Sequence, residues 1–206
     1  LPLSRCPAKV AEVKPSVENH LRHEAKLTVF AFDDERLRVL RQMKITGTMW
    51  FESARFWFLP STELSPDGVC TSRQVTHVSL GAGERRGEPT PYVDVSLAQA
   101  VPVGKGTKAA VAVDVALPEA DAEGYRLFTF DLEPVFDDDI TVRTVVVLPL
   151  GTDVLAIEGP PPKRQRLLSG YVAYYWEHRK AASEAAVRFR LPESVSRELD
   201  LSEVRP

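Results

Sequence analysis

The residues predict a mainly β protein: an antiparallel β-sandwich, immunoglobulin-like or jelly-roll in type, with one to three short helices. Three observations carry that expectation. Val, Thr, Tyr and Phe gather in short runs separated by clusters of Pro, Gly and Asp, which is how an antiparallel chain punctuates its strands. Ala109, Val111, Val113, Val115 and Leu117 alternate with Ala110, Ala112, Asp114 and Ala116 at the period of a pleated strand, Asp114 marking the wetter face. Val145, Val146 and Val147 run without a break, as in a strand covered on both faces, so two packed sheets are expected.

Taken along the chain, strands are predicted over 26–32, 44–51, 54–59, 74–80, 92–97, 108–117, 125–132, 140–148, 153–157, 168–177 and 186–191. Leu59-Pro60, Leu117-Pro118, Leu148-Pro149 and Leu191-Pro192 each set a proline directly after the last apolar residue, where a missing amide donor stops ladder pairing. Their recurrence hints at duplicated sandwich units, although the spacing is irregular. Helical readings are confined to three places. Asp33, Asp34 and Glu35 can cap a helix containing Leu37, Leu40 and Met43, but the same stretch read as a strand puts Leu37, Val39, Met43 and Ile45 on one face, interrupted by Arg41. Residues 179–186 fit either a short helix or a long hairpin loop, and 193–204 fit a helix led by Pro192. The whole, 1–206, is expected to form a single sandwich domain, with an irregular amino-terminal segment over about 1–24 and a tail or short helix over about 193–206.

Composition narrows the function classes. An apolar fraction of 44% and a charged fraction of 27% are those of a globular chain. A net charge of -3 argues against nucleic acid as the main ligand, since that role calls for a broad basic face. No apolar run approaches the ~20 residues of a membrane-crossing helix, so no membrane span is expected. The chain opens on Leu1, so an upstream segment is expected; Leu3-Ser4-Arg5-Cys6 has the outline of a bacterial lipidation site, but Arg5 stands where a small residue belongs. Two cysteines, Cys6 and Cys70, make no disulfide framework, and Asn19 begins no glycosylation acceptor, so an intracellular setting with free thiols is the expectation.

Motifs for chemistry are sparse. No Gly-x-Ser-x-Gly elbow accompanies His20, His23, His77 and His178. The His20 and His23 pair supplies half a zinc site without the remainder, and His178 reads as a satisfied polar strand end. Asp137, Asp138 and Asp139, with Asp33, Asp34 and Glu35 as a second contributor, outline a calcium loop that falls short of the six to eight oxygens required. No metal and no cofactor is therefore expected. Gly104-Lys105-Gly106-Thr107-Lys108 lacks phosphate-loop spacing and reads as a hairpin turn.

The sharpest surface feature is Pro160-Pro161-Pro162-Lys163-Arg164-Gln165-Arg166, a stiff proline run followed by clustered cations. Lys163, Arg164 and Arg166 are expected on an exposed loop, because cations are not buried without partners. Next to it in sequence, Tyr171, Ala173 and Tyr175 share one strand face and Val172, Tyr174 and Trp176 the other, so Tyr171 and Tyr175 form a candidate exposed platform for a partner. Trp50, Phe51, Phe56, Trp57 and Phe58 make a second aromatic cluster, expected to be mostly buried. The expected function is a non-catalytic interaction module that binds a protein partner or self-associates. The alternatives are a self-assembling jelly-roll shell subunit and a ligand-binding or enzymatic domain whose site assembles only in three dimensions.

Overall fold

A computed structural model of the chain describes residues 3–4, 21–47, 50–60, 63–85, 87–132, 141–178, 183–194 and 204. The strands are β1 (Leu3–Ser4), β2 (Leu21–Phe32), β3 (Leu37–Gly47), β4 (Phe51–Trp57), β5 (Val69–Ser72), β6 (Val75–Arg85), β7 (Glu88–Val101), β8 (Gly106–Val115), β9 (Arg126–Leu132), β10 (Thr141–Pro149), β11 (Asp153–Glu158), β12 (Arg164–Leu168), β13 (Tyr171–Glu177) and β14 (Ser183–Arg190). The protein is mainly β and sandwich-like, as its residues predict. No α-helix occurs among the described residues, where a 3-10 turn over Pro66–Gly68 is the helical element. That corrects the expectation of short helices for the described part; most of the 193–204 candidate, and Asp137, Asp138 and Asp139, lie outside the described residues.

The undecided stretch after Phe32 is a hairpin. The Asp33 carboxylate accepts hydrogen bonds from the backbone N–H of Glu35 (3.0 Å) and of Arg36 (2.7 Å), and the Asp33 N–H donates to the Arg36 carbonyl (3.1 Å). Asp33 therefore closes a tight turn instead of capping a helix. Leu37, Val39, Met43 and Ile45 are then buried as one face of β3, with Arg41 half-buried among them.

The chain gathers into two compact units. The first, Leu1–Lys26 with Val39–Val115, contains the sheet β4-β7-β6 and the strands β1-β5-β8-β3, hydrogen-bonded in that order. In β4-β7-β6 the registered residues Ala54, Phe56, Val78, Val93 and Val95 are buried on one face. The β6–β7 hairpin is longer than its residues announce. Gly81 and Gly83 weaken a strand reading, yet a Cβ on Gly81 would lie 2.5 Å from the Tyr92 ring, so glycine is what lets that ring lie across the neighbouring strand. Pro91 accepts from the Phe58 N–H (3.0 Å) but has no amide to return, which ends β4 at Trp57 while pairing with β6 runs on to Arg85 and Glu88. Alternation in β8 was expected to separate a dry face from a wetter one. Instead Ala109, Ala110, Val111, Ala112 and Val113 are all buried, small alanines filling the second covered face, and Val115 is half-buried where an interior place was expected.

The second unit, Leu27–Arg38 with Ala116–Pro206, contains the sheet β11-β14-β9 and the strands β2-β10-β13-β12, hydrogen-bonded in that order. Val145, Val146 and Val147 are fully buried in β10, as the unbroken run predicts. Aromatic rings join its two layers. Phe30 and Phe32 of β2 meet Phe128 edge-on at 4.9 and 5.0 Å, Phe32 meets Phe189 of β14 at 4.8 Å, and Phe130 of β9 meets Trp176 of β13 at 5.1 Å. Edge-to-face packing at these separations adds to the burial of each ring.

Phe130 sits at the middle of this cluster, so Phe130→Ala is expected to cost about 3–5 kcal/mol. Leu127, exposed on the same strand, should change stability by less than about 0.5 kcal/mol as Leu127→Ala. Urea denaturation of the two variants beside the wild type checks both values, and a loss at Phe130 no larger than at Leu127 would show that the cluster does not hold the layers.

Candidate functional site

The basic segment predicted as a loop is a strand. The ten-residue strand expected over 168–177 is broken by a turn at Ser169 and Gly170, where Gly170 takes φ +85°, and the chain before it folds back as β12. β12 pairs antiparallel with β13, setting Arg164 opposite Tyr175, Arg166 opposite Ala173 and Leu168 opposite Tyr171. On its other side β13 pairs with β10, where Val145 faces Tyr175 and Arg143 faces Glu177. Among the described residues β12 is the last strand in its order, an edge.

Lys163, Arg164 and Arg166 are exposed, as expected, and so is Gln165. Tyr171 and Tyr175 are not: they are 1% and 3% exposed. The expectation of an exposed tyrosine platform is corrected, because β13 is an inner strand and its face with Tyr171, Ala173 and Tyr175 is covered; Tyr174, on the opposite face, is half-buried and burial raises its hydroxyl pKa. Tyr175 nonetheless belongs to the basic cluster. The Arg164 guanidinium lies 4.3 Å from its ring centroid, a cation–π contact that orients the arginine without neutralising it.

Lys163 is the cation that finds an acid, its Nζ donating to Glu177 Oε2. That hydrogen bond, joined by the fields of Lys163, Arg143 and Arg164, holds the Glu177 carboxyl below the usual carboxylate range. Among the described residues no acid pairs with Arg164 or Arg166. Arg143, Lys163 and Arg164 thus act on Glu177, Arg166 stands further along β12 opposite Ala173, and the edge carries local positive charge in a chain whose net charge is -3. The other face of β12 carries Leu167, opposite Val172 and 70% exposed.

Two further charged clusters were not visible in the sequence. Arg55 of β4 makes a paired contact with Asp94 of β7 (2.7 and 2.8 Å) and stands 3.8 Å from the Tyr92 ring centroid, with Trp57 edge-on to that ring. Around Tyr125, whose hydroxyl donates to Asp153 (2.7 Å), Arg188 pairs with Asp121 (2.6 Å) and Arg190 with Asp153 (3.2 Å). The Arg188 bond leads in lowering the Asp121 pKa, and the Asp153 bond leads in raising that of Tyr125. The residues in each cluster are separated in sequence but adjacent across strands, so no local pattern announces them. In both clusters the arginines are matched by carboxylates, which leaves less charge to offer a ligand than at β12.

His178 Nε2 lies 2.7 Å from Thr144 Oγ1, the satisfied strand end its position predicts. Gly104 turns between β7 and β8 at φ +69°, with the Lys105 N–H on the Pro102 carbonyl (3.0 Å). Cys70 is a free thiol on β5. Cys6 and His20 lie outside the described residues, and among the described residues no three His, Cys, Asp or Glu converge as a metal site would require. No helix among them is long and apolar enough to cross a membrane.

No protein-family model matches the chain, and no curated protein does. Among solved structures, a mutant two-domain M1 zinc metallopeptidase bound to L-arginine is similar at 12% identity with a TM-score of 0.47. An M1 zinc metallopeptidase from Deinococcus radiodurans is similar at 10% identity with a TM-score of 0.45. In both the likeness covers 82% of this chain and 42% of the other, so the chain spans about two fifths of their length. A likeness at that level lends this chain no residue and no activity.

Two outcomes follow from the cluster. The Tyr175 hydroxyl is buried with no hydrogen-bond partner among the described residues, so Tyr175→Phe is expected to be neutral or stabilising by up to about 1 kcal/mol in urea denaturation. A clear destabilisation would reveal a partner for that oxygen. Lys163→Ala should raise the Glu177 pKa toward the ordinary carboxylate range, read by NMR titration of the side-chain carboxyl. A lowered carboxylate pKa stabilises the fold above the unfolded-state pKa, and that contribution is lost as pH falls through the folded value. Because the pair is exposed, global stability should barely move with this substitution.

Proposed function

We propose that this chain is a non-catalytic β-sandwich module that binds a protein partner through the basic edge formed by Lys163, Arg164 and Arg166 on and beside β12. The observation that carries the reading is the pair of exposed arginines on an edge strand with no acid to match them among the described residues. Tyr175 supports them from below, holding the Arg164 head at the surface. An acidic partner would restore charge balance without burying either arginine unpaired.

A plainer role also accounts for charge at an edge, since cations there discourage strands of neighbouring molecules from pairing. Leu167 speaks against defence alone. Repulsion makes no use of that large apolar side chain, 70% exposed beside the cations, whereas a bound partner would cover it. The reading asks nothing of a catalytic group, and it makes the affinity salt-dependent because the charges are solvent-facing.

Poly-L-glutamate is a suitable probe. Wild-type protein should bind it, with affinity falling by several-fold between about 50 and about 300 mM salt as screening shortens the reach of the charges. K163E/R164E/R166E should lose about tenfold or more while keeping the wild-type circular dichroism spectrum. Equal affinity of the two proteins at both salt concentrations would reduce the cluster to solubility.

A further inference from the structure

The edge has two sides, and they differ in chemistry. Arg164 and Arg166 share a register face with Tyr175 and Ala173, whereas Gln165 and Leu167 share the opposite face with Tyr174 and Val172. A folded acidic surface resting on one side of the sheet would meet the arginines and leave Leu167 in water. One arrangement touches both sides at once: an extended segment lying in the plane of the sheet, alongside β12.

We propose that β12 accepts an extended peptide as one more strand, and that this peptide alternates acidic residues with apolar ones. The inference rests on the reading of the basic edge as a partner-binding surface. Acidic side chains spaced two apart would fall beside Arg164 and Arg166, because residues i and i+2 repeat at about 6.6–6.8 Å in both strands. The apolar residues between them would point to the other face and cover Leu167. Backbone hydrogen bonds from the outward row of β12 would supply affinity that does not depend on side chains.

The ends of the added strand are set by the chain. Pro160, Pro161 and Pro162 precede the basic strand and have no amides to donate, and the turn at Ser169 and Gly170 follows it. The register therefore spans the few residues of β12, which suits a short linear segment. A second copy of this chain is a poor occupant of the same place. Antiparallel pairing of β12 with itself about its centre would set Arg166 against Arg166, like charges directly opposite each other.

The test uses the full chain and four labelled synthetic peptides of one amino-acid composition, two of them N-methylated, read by fluorescence anisotropy. One alternates Glu and Val, one carries the same residues as a Glu block followed by a Val block, and the other two are the alternating peptide N-methylated at every second amide, one in each phase. The alternating peptide is expected to bind about tenfold tighter than the block isomer. One methylation phase should abolish binding and the other leave it intact, because alternate amides face opposite edges of a strand. R164E/R166E should remove binding, and Leu167→Asn should weaken the alternating peptide several-fold while leaving poly-L-glutamate unaffected.

If the block isomer binds as tightly, or if neither methylation phase matters, strand addition is overturned. The broader reading of a basic partner surface then survives only if poly-L-glutamate still distinguishes wild type from the charge-reversed protein. Failure of every acidic probe overturns both.

Discussion

Much of the basic edge depends on how β13 is pinned. Its residues alternate between a covered face and a partly covered one, and Trp176 anchors the latter: the ring meets Phe130 edge-on, and its indole N–H donates to the Pro160 carbonyl at 2.8 Å. A buried indole N–H must find an acceptor, and here that acceptor lies at the start of the proline run. The Lys163 N–H then donates to the Tyr175 carbonyl at 2.8 Å, which ties the chain to β13 just where β12 begins. The surface position of the cations follows from the interior position of the tryptophan.

That arrangement explains why exposed arginines are held in an ordered place without being matched by acids. Around Tyr125 and at Arg55 each guanidinium meets a carboxylate supplied by another part of the chain. At β12 the available acid, Glu177, is engaged by Lys163, and Arg164 rests on an aromatic face. A cation over a ring keeps its full charge, so the field at the edge is not spent internally. Packing and electrostatics together make this the surface with most to offer an anionic partner.

The strand pattern was largely legible. Each stretch predicted as a strand has a counterpart, because period-2 apolar runs and Leu-Pro stops are local consequences of backbone geometry. Errors cluster where a neighbour overrides the local signal. Gly81 reads as a weak point until Tyr92 is seen lying across it, and Ala110 and Ala112 read as a lesser face until both sides of β8 prove covered. Asp33 illustrates the same limit from the other side: a carboxylate that caps helices can equally close a turn, and only the hydrogen bonds it makes distinguish the two.

By itself the sequence determined the strand-rich class, the covered run at Val145 to Val147, and the exposure of Lys163, Arg164 and Arg166, since periodicity and the cost of burying charge act at each residue. Only tertiary structure decided that Arg164 and Arg166 lie on an edge strand with Lys163 beside it, and that Tyr171 and Tyr175 are inside. Alternation states that a strand has two faces, but not how many of them are covered. That depends on which strands come to lie on either side, a choice made by residues far away in the chain.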